Sequence, residues 1–433
     1  MRRLELVFVG VALHAVALIG VATAQEDVRR LPLKEYVDKM QGGWIGQMAG
    51  VGWAGPTEWW CRGEIMPEER APKWHPGMVN QFGQDDIYVE MTFLQTLEKH
   101  GLDVSIRQAG IDFANSRFRL YCANETAREN LRHGIAPPDS SHPKFNRNAD
   151  DIDYQIEADY SGLIAPGMPQ VVIELGEKFG RIMNYGDGVY AGQFVGAMYT
   201  EAFFETDMVK IIKAALRCIP AESQYAEMVR DVLAWYEKNP DDWQKTWGLI
   251  EEKYHKDPAY SHGLWRLTKP GGKGAQSIDA KLNGAYILMG LLYGEGDPDQ
   301  TILISMRCGQ DSDCNPSNAA GILFTTMGFD AVPDRFKSAL NPKGKFSHTP
   351  YDFPTLIEVS KKLVRQAVEH SGGRIEKTAG GGEMLIIPVV DPKPSELMRS
   401  WDPGPIAGSK FTDEEMAQIQ VEPTGDRKGV CCD

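Results

Sequence analysis

The sequence predicts an all-α protein with a small β element near its C-terminal end. Three observations predict it. Apolar residues recur at helical spacing in one segment after another between residues 88 and 370. Glycine, proline or asparagine closes most of those segments. Only the stretch beyond residue 370 carries short β-rich runs around a glycine turn.

The elements follow in chain order. In residues 42–60, Gly42, Gly46, Ala49 and Gly50 recur at helix-like spacing, a face suited to close packing. Tyr88 to His100 places Tyr88, Met91, Leu94 and Leu97 on one side, and Gly101 stops it. Thr206 to Arg217 carries Met208, Ile211, Ile212 and Ala215 ahead of Pro220. Glu222 to Lys238 repeats the pattern with Tyr225, Met228, Val229 and Val232, closed by Asn239 and Pro240. Asp279 to Tyr293 and Pro316 to Met327 each end at a glycine, and Phe353 to His370 is a further helix. Ala319, Ala320 and Gly321 predict a close helix–helix contact. Residues 134–150 are polar and rich in proline and asparagine, a long loop. Arg374 to Lys377 and Met384 to Val390 flank TAGGGE as a hairpin, with loop beyond Asp391. No fixed-period repeat and no Gly/Ser linker divides the chain. Residues 25–370 therefore read as one helical domain and 371–433 as a hairpin and loop tail.

The first 24 residues are set apart. Arg2 and Arg3 precede an apolar run from Leu4 to Val21, and Ala22-Thr23-Ala24 fits a cleavage site before Gln25. A membrane anchor is disfavoured because Gln25, Glu26 and Asp27 follow at once. A cleavable signal peptide and a secreted or periplasmic protein are the expectation. No later run approaches the roughly 18 apolar residues of a spanning helix, so no membrane partner is expected. The formal net charge is −14, which argues against nucleic acid as a partner. A hydrophobic share of 42% with 24% charged residues excludes a disordered or fibrous chain. Seven cysteines, at 61, 122, 218, 308, 314, 431 and 432, leave at least one outside any intramolecular pair.

Chemistry concentrates where carboxylates meet glycine. In GQDSDCNPSNAAG, Asp311 and Asp313 alternate in a loop that feeds a helix, with Asn315 as expected N-cap and Pro316 at the first turn. Short carboxylates placed so can hold a hard cation, or simply cap the helix. In GQDDIYVE, Asp85 and Asp86 again open a helix. Four aspartates meeting at one point would need a cation, because a dry cluster of like charges is unstable. Glu58 sits in a Gly-Pro turn between Trp53 and Trp59-Trp60, a setting that can raise a carboxyl pKa for acid or base work, with an exposed surface glutamate as the plainer reading. Asp153, Asp159 and Asp187 lie in two further glycine-rich segments, with loop acids or caps as the plainer reading. HExxH, GxSxG, Walker A and GxGxxG patterns are absent, and no histidine pair at i, i+4 suits zinc.

The order of these motifs resembles the ADP-ribosylglycohydrolase family, which includes the dinitrogenase-reductase-activating glycohydrolases. That family opens with G-x-x-x-G-D-x-x-G-x-P-x-E, continues with (S/T)-D-D-(S/T) and ends with G-x-D-(S/T)-D-(S/T). Here they read GWIGQMAGVGWAGPTE, QDDI and GQDSDC. QIEADYSGLIAPG, GDGVYAG and LNGAYILMGLLYGEGD look like a secreted bacterial branch of it. The resemblance runs from about Gly42 to Gly328. It implies an orthogonal helical bundle with one or two Mg²⁺-like ions in a central cleft, Ca²⁺ or Mn²⁺ being alternatives.

Carried onto this chain, the resemblance makes Gln84, Asp85, Asp86, Asp311 and Asp313 metal ligands. Glu58, Asp86 and Asp311 become the catalytic carboxyls. Trp53, Asp159, Gly186, Asp187, Gly188, Tyr190 and Asn283 are the expected substrate contacts. Three departures stand out: Gln84 and Cys314 replace hydroxyl ligands, and Val51 replaces the opening aspartate. A thiol suits Mg²⁺ poorly, so one of two metal positions is weakened. The implied activity is metal-dependent hydrolysis of a glycosidic bond. Its substrate is either an N- or O-linked ADP-ribosyl group or, given export, a carbohydrate glycoside: a small molecule or an oligosaccharide. A metal-binding but non-catalytic relative is the alternative. Leaving group, anomeric outcome and oligomeric state stay open.

Overall fold

The computed structural model describes residues 27–261 and 277–423. The expected signal peptide at 1–24, and Cys431 and Cys432, lie outside them. Helix α1 (Leu33–Ala54) is the centre of the architecture. Its later turns are buried on every side, which the many small residues permit. Around it stand α2 (Asp85–His100), α3 (Ile106–Ala114), α4 (Cys122–Arg132) and α5 (Asp187–Ala202). Then come α6 (Met208–Leu216), α7 (Gln224–Lys238), α8 (Trp243–Ile250) and α9 (Ala280–Tyr293). α10 (Pro298–Arg307), α11 (Cys314–Met327) and α12 (Phe353–His370) follow, and shorter helical turns lie between some of these helices. The helix predicted over 353–370 is found over that span, opened by an Asp352–Thr355 capping box.

α1 and α11 pack antiparallel through the glycine stripe. A methyl group at Gly42, Gly46 or Gly50 would lie 2.3, 2.4 or 2.2 Å from the carbonyl oxygens of Phe324, Ala320 and Pro316. The step of four residues on both helices is one helical turn. This pairing decides the site, because it carries the end of α1, and with it Glu58, to the start of α11.

The β element differs from its expectation. The hairpin β2 (Arg374–Lys377) and β3 (Glu383–Pro388) is present, but a strand β1 (Val28–Pro32) pairs with β3 on its other edge. The order is β1-β3-β2, all antiparallel. The sheet therefore ties the two ends of the described chain together rather than hanging off one. VRRLP has too little alternation to announce a strand; it is recruited because β3 buries Leu385, Ile386 and Ile387 and offers an open edge.

The segment after Asp391 has little regular structure, yet it is tied down. The Tyr190 hydroxyl donates to the Glu396 carbonyl and accepts from the Met398 amide, both at 2.6 Å. Asp139 accepts the amides of Ala407 and Ser409, both at 2.8 Å. Arg107 pairs with Glu415 and donates to the Lys410 carbonyl. Loop 134–150 lies under this strap, which is why Asp139, Ser140, Ser141 and Asn146 are buried.

Candidate active site

Two chain segments run side by side to build the acidic centre. The Thr57 hydroxyl donates to the Ala54 carbonyl at 2.7 Å and lies 2.9 Å from the Ser312 hydroxyl. Trp59 donates its amide to the Gln310 carbonyl at 3.1 Å, and Gln310 donates to the Cys61 carbonyl at 2.8 Å. Trp59 and Gln310 both hold positive φ, 61° and 58°. Such strained non-glycine backbone persists only where the surroundings enforce it. At Gly309, φ is 86° and a Cβ would meet the Cys61 carbonyl at 2.4 Å, so only glycine fits.

Asp85 and Asp86 are the first two residues of α2. Asp86, Asp311, Asp313 and Cys314 are all at most 5% exposed, while Asp85 is half-buried and Glu58 is exposed. Candidate ligand atoms of Asp311, Asp313 and Cys314 lie within 4.8 Å of one another. The Cys314 thiol donates to Asp86 Oδ2 at 3.3 Å, joining the α2 pair to the α11 loop. Gln84 places its amide nitrogen 3.3 Å from where a Cβ on Gly55 would be, beside the Glu58 turn. Asp313, not Asn315, stands at the N-cap position of α11, without a capping hydrogen bond from its side chain. Asn315 lies inside the helix and donates to Asn283 Oδ1 at 3.0 Å.

The electrostatics follow from burial. Loss of solvent pushes Asp86 and Asp311 well above the usual carboxylate range, and neighbouring acids push further in the same direction. Asp313 is pushed up to about 8 by burial and then by the charge of Glu58. Asp85 is also raised by burial, offset by the backbone amides at the start of α2 and by the charge of Arg119. Burial and the same carboxylates hold Cys314 in its thiol form. A thiol is a poor ligand for a hard cation, but here it serves as a hydrogen-bond donor. Asp86 Oδ1 is buried with no hydrogen-bond partner. An orphaned carboxylate oxygen beside three more carboxylates fits a divalent cation.

The other expected site residues are placed differently. Trp53 is buried in the last turn of α1. Its indole donates to the Pro72 carbonyl at 2.7 Å and packs on Trp74 and Phe336, because its face of α1 turns inward. Asp159 is fully buried and accepts from Asn318 at 2.7 Å. Gly186 and Tyr190 meet the strap at Met398 and Glu396. Gly188 fits against the Ala149 carbonyl, where a Cβ would come within 2.7 Å. Asp187 accepts the Tyr225 amide at 3.1 Å and faces Lys281 at 3.9 Å. Asn283 donates to the carbonyls of Ser277 and Asp279, both at 3.1 Å. The hydrogen bonds and close approaches given for these residues run to the helix walls and the strap.

Sequence reasoning missed Glu90, Asp151 and Glu157. Glu90 lies one turn beyond Asp86 on α2, and Glu157 one turn beyond Asp153, which is the signal that was available. A cavity of about 840 Å³ opens between α2, α3 and residues 417–420. It is lined by Phe93, Lys99, Asp112 and His348 and contains none of the acidic cluster. The four aspartates, with the burial and mutual charge that mark reactive centres, are a stronger candidate than this cavity.

The fold and site define a mostly helical protein with a small sheet and a buried multi-carboxylate centre. The family model for ADP-ribosylglycohydrolase matches residues 32–371. The chain belongs to the ADP-ribosylglycohydrolase family. A solved structure described as an ADP-ribosylglycohydrolase-related protein complex is similar at 13% identity, with a TM-score of 0.48. That match covers 77% of this chain and 99% of the other. No curated protein sequence matches the chain.

Proposed function

We propose that the chain is a divalent-cation-dependent hydrolase of a glycosidic bond, with ADP-ribosyl conjugates the first substrate class to test. The observation that supports this best is the contact of Asp86 on α2 with the distant Asp311, Asp313 and Cys314 group, where the charges of Asp85 and exposed Glu58 are also felt. Asp85, Asp86, Asp311 and Asp313 would hold Mg²⁺, Mn²⁺ or Ca²⁺, with the Gln84 amide oxygen beside them. When bound, the ion supplies Lewis-acid polarisation and a template for sugar hydroxyls.

The chain's own groups do the rest. Cys314 orients Asp86 through its thiol. Glu58, at the rim and open to water, takes the proton of the attacking water as general base while the water oxygen bonds to the anomeric carbon. That proton is the one the departing group needs when the glycosidic bond breaks. The leader read in residues 1–24 supports action outside the cytoplasm, where a carbohydrate glycoside is the alternative substrate. N-terminal sequencing of exported protein, expected to begin at Gln25, tests that location.

The activity test uses purified chain with ADP-ribosyl-arginine, ADP-ribosyl-serine and a panel of nitrophenyl glycosides, with and without EDTA. Release that EDTA abolishes is expected. Glu58→Gln should lower it by about 10²–10⁴-fold with cation binding retained. Turnover of nitrophenyl glycosides alone moves the substrate to carbohydrates. Cation binding with no turnover on any of these sinks the enzymatic reading.

A further inference from the structure

A second acidic wall stands near Asp85. Asp151, Asp153 and Glu157 are 0, 6 and 1% exposed. The fold accounts for two of them. Asp151 accepts the Ala123 amide at 2.8 Å and Asp153 the Asn124 amide at 2.5 Å, so both sit on the N-terminal turn of α4. Glu157 has no such explanation. One oxygen accepts from the Asn124 side-chain amide. The other, Oε2, is buried with no hydrogen-bond partner.

Asn124 repeats the anomaly independently. It is 3% exposed, it carries no charge, and its carbonyl oxygen Oδ1 is also buried without a partner. With Glu157 ionised both orphaned atoms are acceptors, and a cation would satisfy the two together. The charges that act most on Glu157 are those of Asp85, Asp151 and Asp86, which places it against the acidic start of α2. Among the described residues, no lysine or arginine pairs with Asp153 or Glu157. These side chains are too enclosed to admit a sugar ring. A small hard ion needs only oxygen ligands and little room.

We infer that Glu157, Asp153 and the Asn124 amide oxygen, together with Asp85, form a second hard-cation site. It is distinct from the Asp86, Asp311 and Asp313 centre and shares with it only the half-buried Asp85. The inference extends the cation reading above but rests on different residues, so the two fail separately.

The test counts ions on the full chain. Protein stripped with EDTA and exchanged into buffer is titrated with Mn²⁺, and free Mn²⁺ is read by electron paramagnetic resonance. Wild type is expected to take two ions. Glu157→Gln and Asn124→Ala should each take one, and Asp313→Asn should also take one. Glu157→Gln should melt no lower than wild type in EDTA, since it removes an uncompensated buried charge; Asn124→Ala gives a second reading if the Gln variant misfolds. If Glu157→Gln and Asn124→Ala bind as many ions as tightly as wild type, the second site is wrong. It is equally wrong if wild type takes a single ion that Asp313→Asn alone abolishes. If Asp313→Asn loses nothing while Glu157→Gln loses one, the second site stands and the centre proposed above falls.

Discussion

Gly46→Ala tests whether the α1–α11 contact holds the site together. The added methyl would lie 2.4 Å from the Ala320 carbonyl oxygen and 2.8 Å from both the Ala320 carbonyl carbon and Gly321 Cα. Comfortable contact is about 3.5 Å. The helices must therefore separate by roughly 1 Å, and the obstacle is backbone, which cannot rotate away as a side chain would. Overpacking of this kind costs about 1–3 kcal/mol. Alanine recovers about 1 kcal/mol of helix propensity over glycine. A net loss of up to about 2 kcal/mol is expected. Gly248→Ala is the control, because that glycine also lies in a helix but has nothing within 4 Å of its added methyl. It should gain up to about 1 kcal/mol. Urea midpoints of both variants against wild type are the assay. Gly50→Ala adds a functional readout: its methyl would meet the Pro316 carbonyl at 2.2 Å, two residues after Cys314, so Mn²⁺ affinity should fall. A Gly46→Ala protein that gains stability as much as Gly248→Ala would refute the close-packing argument.

Three further outcomes follow from single residues. Burial lifts Asp159 to about 7, against about 3.9 in an unfolded chain. The folded state then holds the proton longer, so this group's contribution to stability is full below about pH 4 and is lost as pH rises through about 7. Asp159→Asn should flatten thermal melting temperature across that window, and an unchanged slope would show that Asp159 is not the group responsible. Cys314→Thr replaces a thiol with a hard hydroxyl ligand, and Mg²⁺ affinity by calorimetry should rise; equal affinity would mean that the thiol does not limit the site. Tyr190→Phe removes both hydrogen bonds that pin Glu396 and Met398. It should cost about 1–2 kcal/mol and speed proteolysis within 391–405, whereas unchanged cleavage would show that the strap is held elsewhere.

Much of the molecule was legible in the sequence, for a local reason. Helix periodicity, caps and stop residues act within a few turns, so segments such as 353–370 could be read from their own residues. The glycine stripe of α1 and the small residues of α11 each announced a close contact. The pairing of those two faces was visible only in three dimensions. The two aspartate pairs were legible as motifs because each opens a helix. Their meeting is a tertiary fact, carried by the Cys314–Asp86 hydrogen bond and the antiparallel packing of α1 on α11.

The tertiary structure decided what long-range partners decide. Strand 28–32 exists because β3, more than 350 residues later, offers an edge. Tyr190, which read as a residue for a ligand, spends its hydroxyl on the strap. Trp53 reads as a neighbour of Glu58 until the helix turn carries its indole into an aromatic cluster. Glu157 and Asn124 looked ordinary because burial without a partner is not a property of sequence. Spacing along a chain fixes which side of a helix a residue occupies, but only the packing of that side determines what the residue meets and whether water reaches it.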